Sequence, residues 1–356
     1  RNTLPKAKAE IVQRALRKLG TTEGMDAAER FVTEAIIIPD KRPAIDIVGG
    51  DFRIDHPLWQ HFDADAQLHA AIRSAIPSVG RIELPGHPSL PYGGTGWVAG
   101  EGLLMTNRHV AEIFAAGLGT RNLVFKQGLG AGIDFERERD STDATVLGVR
   151  AVVMIHPYWD MALLAVDGLG EGHVPLTLSV QPPEQSVDGE VVVIGYPAFD
   201  SRNDPAVQNE VFRGLYNVKR LQPGLIMERG SIGSFGKTVS ALCHDASTLG
   251  GNSGSVVWDP RRRLVVALHF AGVYLDRNYC VPAAELARDG RIVDAGVRFE
   301  DGAPGGAPPW EDWWERSEPE AAAAAAPVAP AAAAASPSAL AAAPVPAVGL
   351  SAGQSQ

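Results

Sequence analysis

The chain has 356 residues, 45% hydrophobic and 21% charged, with 38 glycines, 26 prolines and a formal net charge of -10. That length buries at least one full core, and the apolar content excludes a chain disordered throughout. The acidic balance argues against a general nucleic-acid binder, which needs a cationic face to displace counterions, and no stretch reaches the ~20 apolar residues of a membrane-spanning helix.

From Leu4 to Leu19 the apolar positions Ala7, Ile11, Ala15, Leu16 and Leu19 recur among charged residues at helical spacing, predicting an amphipathic helix. A second helix is predicted from Asp26 to Ile37, with Asp26 as N-cap and Pro39 ending it, and a third from Ala64 to Ile76. After Pro77 the period changes. Short runs rich in Val, Ile, Leu and Tyr alternate with glycine and proline clusters, predicting strands at 79–84, 96–98, 103–106, 145–155, 161–166, 191–196, 211–221, 239–243, 255–258 and 264–270. Many short strands between turns predict a mainly β protein, a sandwich or barrels. A linker follows at 301–309, then a segment bearing Trp310, Trp313 and Trp314, then an Ala/Pro tail from Ala321 to Gln356 too poor in large apolar groups to fold. The resulting division is a helical extension at 1–76, a β-rich domain at 77–300 and a linker with tail at 301–356.

Cys243 and Cys280 are the two cysteines, so no disulfide framework organises the chain; they read as small buried apolar groups, with pairing left open. The sequence starts at Arg1 without a charged-then-apolar leader, which tilts the expected compartment toward the cytoplasm while leaving a longer parent chain open. Oligomeric state is not indicated.

Three separated segments carry chemistry: Gly94 to Ala111, with His109; Tyr158 to Leu164, with Asp160; and Ser247 to Ser255, with Ser253 between Asn252 and Gly254. A serine hydroxyl becomes a useful nucleophile when a neutral imidazole takes its proton, and a carboxylate on the far ring nitrogen fixes the tautomer. Each segment resembles a signature of the trypsin-like serine peptidases, in that family's order, with separations of 51 and 93 residues. The resemblance spans about residues 79 to 290 and is nearest to the bacterial glutamyl-endopeptidase-like group. It implies two antiparallel six-stranded β-barrels, a catalytic triad of His109, Asp160 and Ser253, and an oxyanion hole from the N–H groups of Gly251 and Ser253. It also implies peptide or protein substrates, an acyl-enzyme, and no metal or organic cofactor.

Within that resemblance the pocket wall falls to Ser247, Thr248 and His269. A Thr and a His at the matching positions of the glutamyl endopeptidases bind a substrate carboxylate, so a preference for Glu or Asp before the scissile bond is expected, and Arg/Lys preference is not. Ile47 to Gly50 looks like the N-terminus that zymogen cleavage frees, but Asn252 offers no charge for the freed amine and 62 residues separate Ile47 from His109. Activity without that cleavage is expected. Cys243, His244 and Asp245 lack the spaced partners of a metal site, and the segment from Gly251 to Ser255 lacks the final glycine of an α/β-hydrolase elbow. Two other readings stay open: a binding or scaffold module that keeps the fold without turnover, and an esterase using the same triad. Trp310, Trp313 and Trp314 are expected either to dock on the parent domain or to engage a protein partner.

Overall fold

The computed structural model describes residues 41–90, 92–200, 204–273 and 277–324. The two predicted helices before Pro39 and the Ala/Pro tail beyond Ala324 lie outside the described residues; the first four residues of that tail, expected not to fold, continue a helix.

Residues 41–76, expected to be helical, begin instead with two strands, β1 (Ile45–Val48) and β2 (Asp51–Phe52), followed by α1 (His61–Ala64) and α2 (Ala66–Ala75). Asp65 caps α2 by accepting from the N–H groups of Gln67 and Leu68. Leu68, Ala71, Ile72 and Ala75 form its buried face, and Pro77 ends it in a 3-10 turn.

The first barrel comprises β3 (Val79–Glu83), β4 (Tyr92–Gly100), β5 (Leu103–Thr106), β8 (Gly132–Asp134), β9 (Val146–Ile155) and β10 (Ala162–Val166), closed in the order β10-β5-β4-β3-β8-β9. Between β5 and β8 lie α3 (Arg108–Phe114) and a small ribbon of β6 (Ala115–Ala116) and β7 (Val124–Phe125). The second barrel follows with β11 (Glu190–Gly195), α4 (Pro205–Phe212), β12 (Arg220–Ser234), β13 (Lys237–His244), β14 (Val256–Asp259), β15 (Leu264–Val273) and β16 (Arg277–Pro282). Its order β11-β14-β15-β16-β13-β12 returns to β11, and β1 with β2 extends it beyond β12. Helices α5 (Ala283–Leu286), α6 (Gly290–Asp294) and α7 (Glu311–Ala324) complete the described chain.

The barrels share a third core between them, which explains why their strands read as continuous apolar runs. In β10, Ala162, Leu164 and Val166 fill the first barrel while Leu163 faces the shared core. In β11, Val191 and Val193 fill the second barrel while Val192 and Ile194 face the shared core. Strands buried on both faces lose the polar alternation of a half-exposed sheet.

One predicted strand is corrected. Residues 211–221 were expected to be extended, but Val211 and Phe212 lie on the buried face of α4, whose N-terminus is set by Asp204 as N-cap and Pro205 in the first turn. Arg213 closes that helix in the left-handed region, and the strand starts at Arg220. Pro223 is tolerated in β12 because it pairs with Val192 of β11, whereas the pairing with β13 begins only at Ile226. Short or flank-poor strands went unread, namely β1, β2, β6, β7, β8 and β16, as did β12 beyond Leu221.

Candidate active site

His109 is the second residue of α3, directly after β5; Asp160 lies in the turn between β9 and β10; Ser253 lies in the loop joining β13 to β14. The first barrel therefore brings two of the groups and the second brings the serine. His109 Nδ1 lies 2.7 Å from Asp160 Oδ2, and His109 Nε2 lies 2.8 Å from Ser253 Oγ. A carboxylate only accepts, so Nδ1 carries the ring proton and Nε2 offers its lone pair to the serine hydroxyl. Asp160 Oδ1 accepts the His109 backbone N–H at 3.0 Å, and Asn107 Nδ2 donates to the Asp160 carbonyl at 2.9 Å. Asp160 and Ser253 are almost wholly buried, at 4% and 3% exposure, so these hydrogen bonds work in a poorly solvated space.

Thr95, which sequence reasoning passed over, joins the two halves. Its N–H donates to the Ser253 carbonyl at 2.8 Å and its hydroxyl to the Gly251 carbonyl at 2.9 Å, while Thr106 Oγ1 donates to the Thr95 carbonyl at 2.7 Å. This approach leaves no room beside the loop. A Cβ at Gly254 would meet the Thr95 carbonyl oxygen at 2.0 Å, and one at Gly251 would meet the Tyr196 carbonyl oxygen at 2.4 Å. Both glycines also hold left-handed φ, +86° and +90°, so the loop requires glycine twice over.

Asn252 accepts from Gln222 Nε2 at 3.0 Å and from Ser255 Oγ at 3.3 Å, with Gln222 and Asn252 fully buried. A neutral amide pair thus supports the serine loop. Ile47, the residue that zymogen cleavage would expose, is buried in β1 opposite Phe52, and its carbonyl accepts the Arg139 N–H. The neighbouring Asp46 is gripped by Arg139, Arg213 and Arg220, with Arg220 itself fully buried.

Ser247, Thr248 and His269 are all fully buried. Ser247 Oγ donates to the Arg42 carbonyl at 2.6 Å, and Arg42 holds Asp245 through two guanidinium nitrogens at 2.7 and 2.5 Å. Asn278 Nδ2 donates to the Ala246 carbonyl, which turns its Oδ1 toward Thr248; the Thr248 hydroxyl therefore donates to Asn278 at 2.5 Å. His244 Nδ1 accepts the Ala246 N–H, so the ring proton of His244 sits on Nε2 and points to His269 Nδ1, 3.2 Å away. His269 is left with its proton on Nε2, an atom without a hydrogen-bond partner among the described residues. Burial keeps both rings neutral: it holds His244 down to about 3, and His269 is pushed well below the ordinary range by burial, then by His244 and His109.

His244, His269 and Cys280 have donor atoms within 4.8 Å of one another, the spacing of a metal site. The donor set does not fit one. His244 Nε2 carries the proton because Nδ1 is occupied by a backbone N–H, so it has no lone pair for a cation, and burial pushes the Cys280 thiol well above its ordinary value. Cys243 and Cys280 are buried thiols.

Residues 94–268 match the family model of the trypsin-like peptidase domain. A probable serine protease of Lysobacter enzymogenes is 28% identical over 304 residues, covering 77% of this chain and 78% of that one. Solved structures of the Rv3671c protease of M. tuberculosis are also similar. Its active form is 21% identical, covers 66% of this chain and 88% of that one, and gives a TM-score of 0.44; an inactive form is 22% identical, covers 64% and 93%, and gives 0.42. The matched region contains His109, Asp160 and Ser253, and β16 with the terminal helices lies beyond it.

The tryptophans past the domain are not a free-standing partner motif. Trp310 and Trp314 are buried at 5% and 0% exposure, and both indole N–H groups donate to Asp289 Oδ2, at 3.0 and 2.7 Å. Trp313 is partly buried on the same core, with Lys237 over its ring. A buried indole needs an acceptor, and Asp289 supplies one to each, so of the two expectations it is docking on the parent chain that the structure shows.

Proposed function

We propose that this chain is a serine endopeptidase that hydrolyses peptide bonds through an acyl-enzyme. The observation that carries the reading is the row from Asp160 through His109 to Ser253, with separations of 2.7 and 2.8 Å. His109 Nε2 takes the Ser253 proton as Oγ attacks the peptide carbonyl; Asp160 stabilises the imidazolium; the protonated ring then donates to the leaving amine. The N–H groups of Gly251 and Ser253 receive the developing oxyanion, and losing one such donor typically costs about 3 kcal/mol in the barrier. The ester carbon formed on Ser253 is released by water activated at the same imidazole.

For the residue before the scissile bond we propose an acidic side chain, with His269 as the principal recognising group. The reading is supported by a buried N–H at His269 Nε2 that lacks a partner among the described residues. Thr248 is a weaker contributor than its hydroxyl first suggests, because its proton is committed to Asn278. The neutral His269 ring recognises a carboxylate as a hydrogen-bond acceptor, so Gln is the closest competitor to Glu. A fluorophosphonate probe and a peptide library test both levels. Labelling at Ser253, absent in His109→Ala, with cleavage after Glu or Asp supports the whole reading. Cleavage only after Leu or Ala removes the acidic preference and leaves the peptidase, and an unlabelled folded chain removes the peptidase.

A further inference from the structure

The turn that carries Asp160 is packed from behind by the C-terminal tryptophans. Trp310 stacks on Tyr158 with ring centroids 5.2 Å apart and planes at 9°, and meets Trp159 edge-on at 5.7 Å. Trp314 meets His156 edge-on at 5.0 Å. The rings of His156, Tyr158 and Trp159, the last of them next to the carboxylate residue, are thus each met by a tryptophan. The front of the same turn is the side tied to His109 and Asn107.

Asp289 is the anchor of this cover. Its Oδ1 caps α6 by accepting the Arg291 N–H at 3.1 Å, while Oδ2 takes both indole N–H groups and lies 3.3 Å from His156 Nε2. His156 Nδ1 accepts the N–H groups of Tyr158 and Trp159 at 3.0 and 2.9 Å, so the ring proton sits on Nε2 and faces Asp289. Arg291 closes the arrangement, lying over Trp314 at 4.8 Å and holding Glu311 at 2.9 and 2.5 Å. Asp289 and His156 are fully buried. Withdrawing the tryptophans would leave a buried carboxylate with half of its donors, a cost that makes docking all or none rather than gradual.

We propose that Trp310 and Trp314, anchored on Asp289, form an intramolecular clasp that positions the Asp160 turn against His109. The assignment rests on the serine-peptidase reading above, and these are positioning residues, since they touch the turn and not the reacting atoms. A loosened turn places the Asp160 carboxylate imperfectly behind the imidazole, and ångström-scale misplacement costs up to about 100-fold in rate.

The test uses the full chain with Trp310→Ala, Trp310→Phe and Asp289→Asn. Steady-state peptide hydrolysis is measured across pH, with fluorophosphonate labelling and circular dichroism on each variant. Trp310→Ala is expected to lower kcat about 10- to 100-fold with KM within a few-fold, and to move the acid limb of kcat/KM to lower pH because a displaced carboxylate stabilises the imidazolium less. Trp310→Phe keeps the ring on Tyr158 without the N–H and recovers most of kcat; Asp289→Asn falls between. A folded Trp310→Ala with wild-type kcat and acid limb overturns the clasp. Should that variant not fold, Trp310→Phe and Asp289→Asn decide: wild-type kcat and acid limb in both overturn it. A wild-type chain that never labels at Ser253 overturns the peptidase reading, and the clasp falls with it.

Discussion

His109 can act as a base only in the tautomer that Asp160 imposes, and the carboxylate is doubly engaged, by the ring at 2.7 Å and by the His109 backbone N–H at 3.0 Å. An asparagine has one acceptor for these two donors. Asp160→Asn keeps its oxygen on the backbone N–H and turns its amide toward the ring, which moves the ring proton to Nε2 and removes the base facing Ser253. The expected outcome is a fall in kcat of about 10⁴-fold with little change in KM, read by steady-state hydrolysis. The convergence of His109, Asp160 and Ser253 was legible in the sequence because each sits in a short, distinctive motif. Thr95, Asn107, Gln222 and His244 were not. Each acts through hydrogen bonds to residues distant in the chain, and nothing in its own surroundings marks those bonds.

At the scale of elements, the serine loop is held from two directions, by Thr95 of the first barrel and by Gln222 of β12. The second contact falls on Asn252, whose neutral amide offers no charge to an amine freed by zymogen cleavage. Gln222→Leu removes the amide donor from a buried Asn252 oxygen, leaving the bond from Ser255. The variant should lose about 1–3 kcal/mol of stability in urea melts and label more slowly at Ser253 as the loop loosens. Faster labelling after cleavage before Ile47 would instead restore the zymogen reading. The strands themselves were largely readable as apolar runs between turn residues. The exception at 211–221 arose because Val211 and Phe212 carry β-forming side chains on a helix whose capping signal, Asp204 with Pro205, starts seven residues earlier.

For the whole molecule, three buried histidines set the response to acid. Burial lowers His156, His244 and His269, so each stays neutral in the fold while the unfolded chain takes up a proton below about pH 6.5. A depressed folded value means that stability is complete above the unfolded value and drains away as pH falls toward the folded one. Each histidine contributes a slope of about 1.4 kcal/mol per pH unit in that window. Asp46 and Asp289, held below the ordinary carboxylate range despite their burial by Arg220 with its neighbours and by His156 with the two indoles, add the same sign at lower pH. Urea unfolding free energies should therefore rise from pH 4.5 to 6.5 and then level, and His244→Phe should flatten the rise by about one proton's worth.

The sequence by itself determined the β architecture after Pro77, the types and order of the three residues that converge at the proposed site, and the glycines at 251 and 254, because turn chemistry and nucleophilic chemistry are local demands on residue type. Tertiary structure alone decided which way each hydrogen bond runs and which surfaces are covered. Thr248 gives its proton to Asn278, His244 passes its donor to His269, β1 joins the second barrel, and Trp310 and Trp314 fold back onto Asp289. A donor's direction depends on which acceptors lie beside it once water is excluded, and for Thr248, His244, Trp310 and Trp314 those neighbours lie 21 to 30 residues away along the chain.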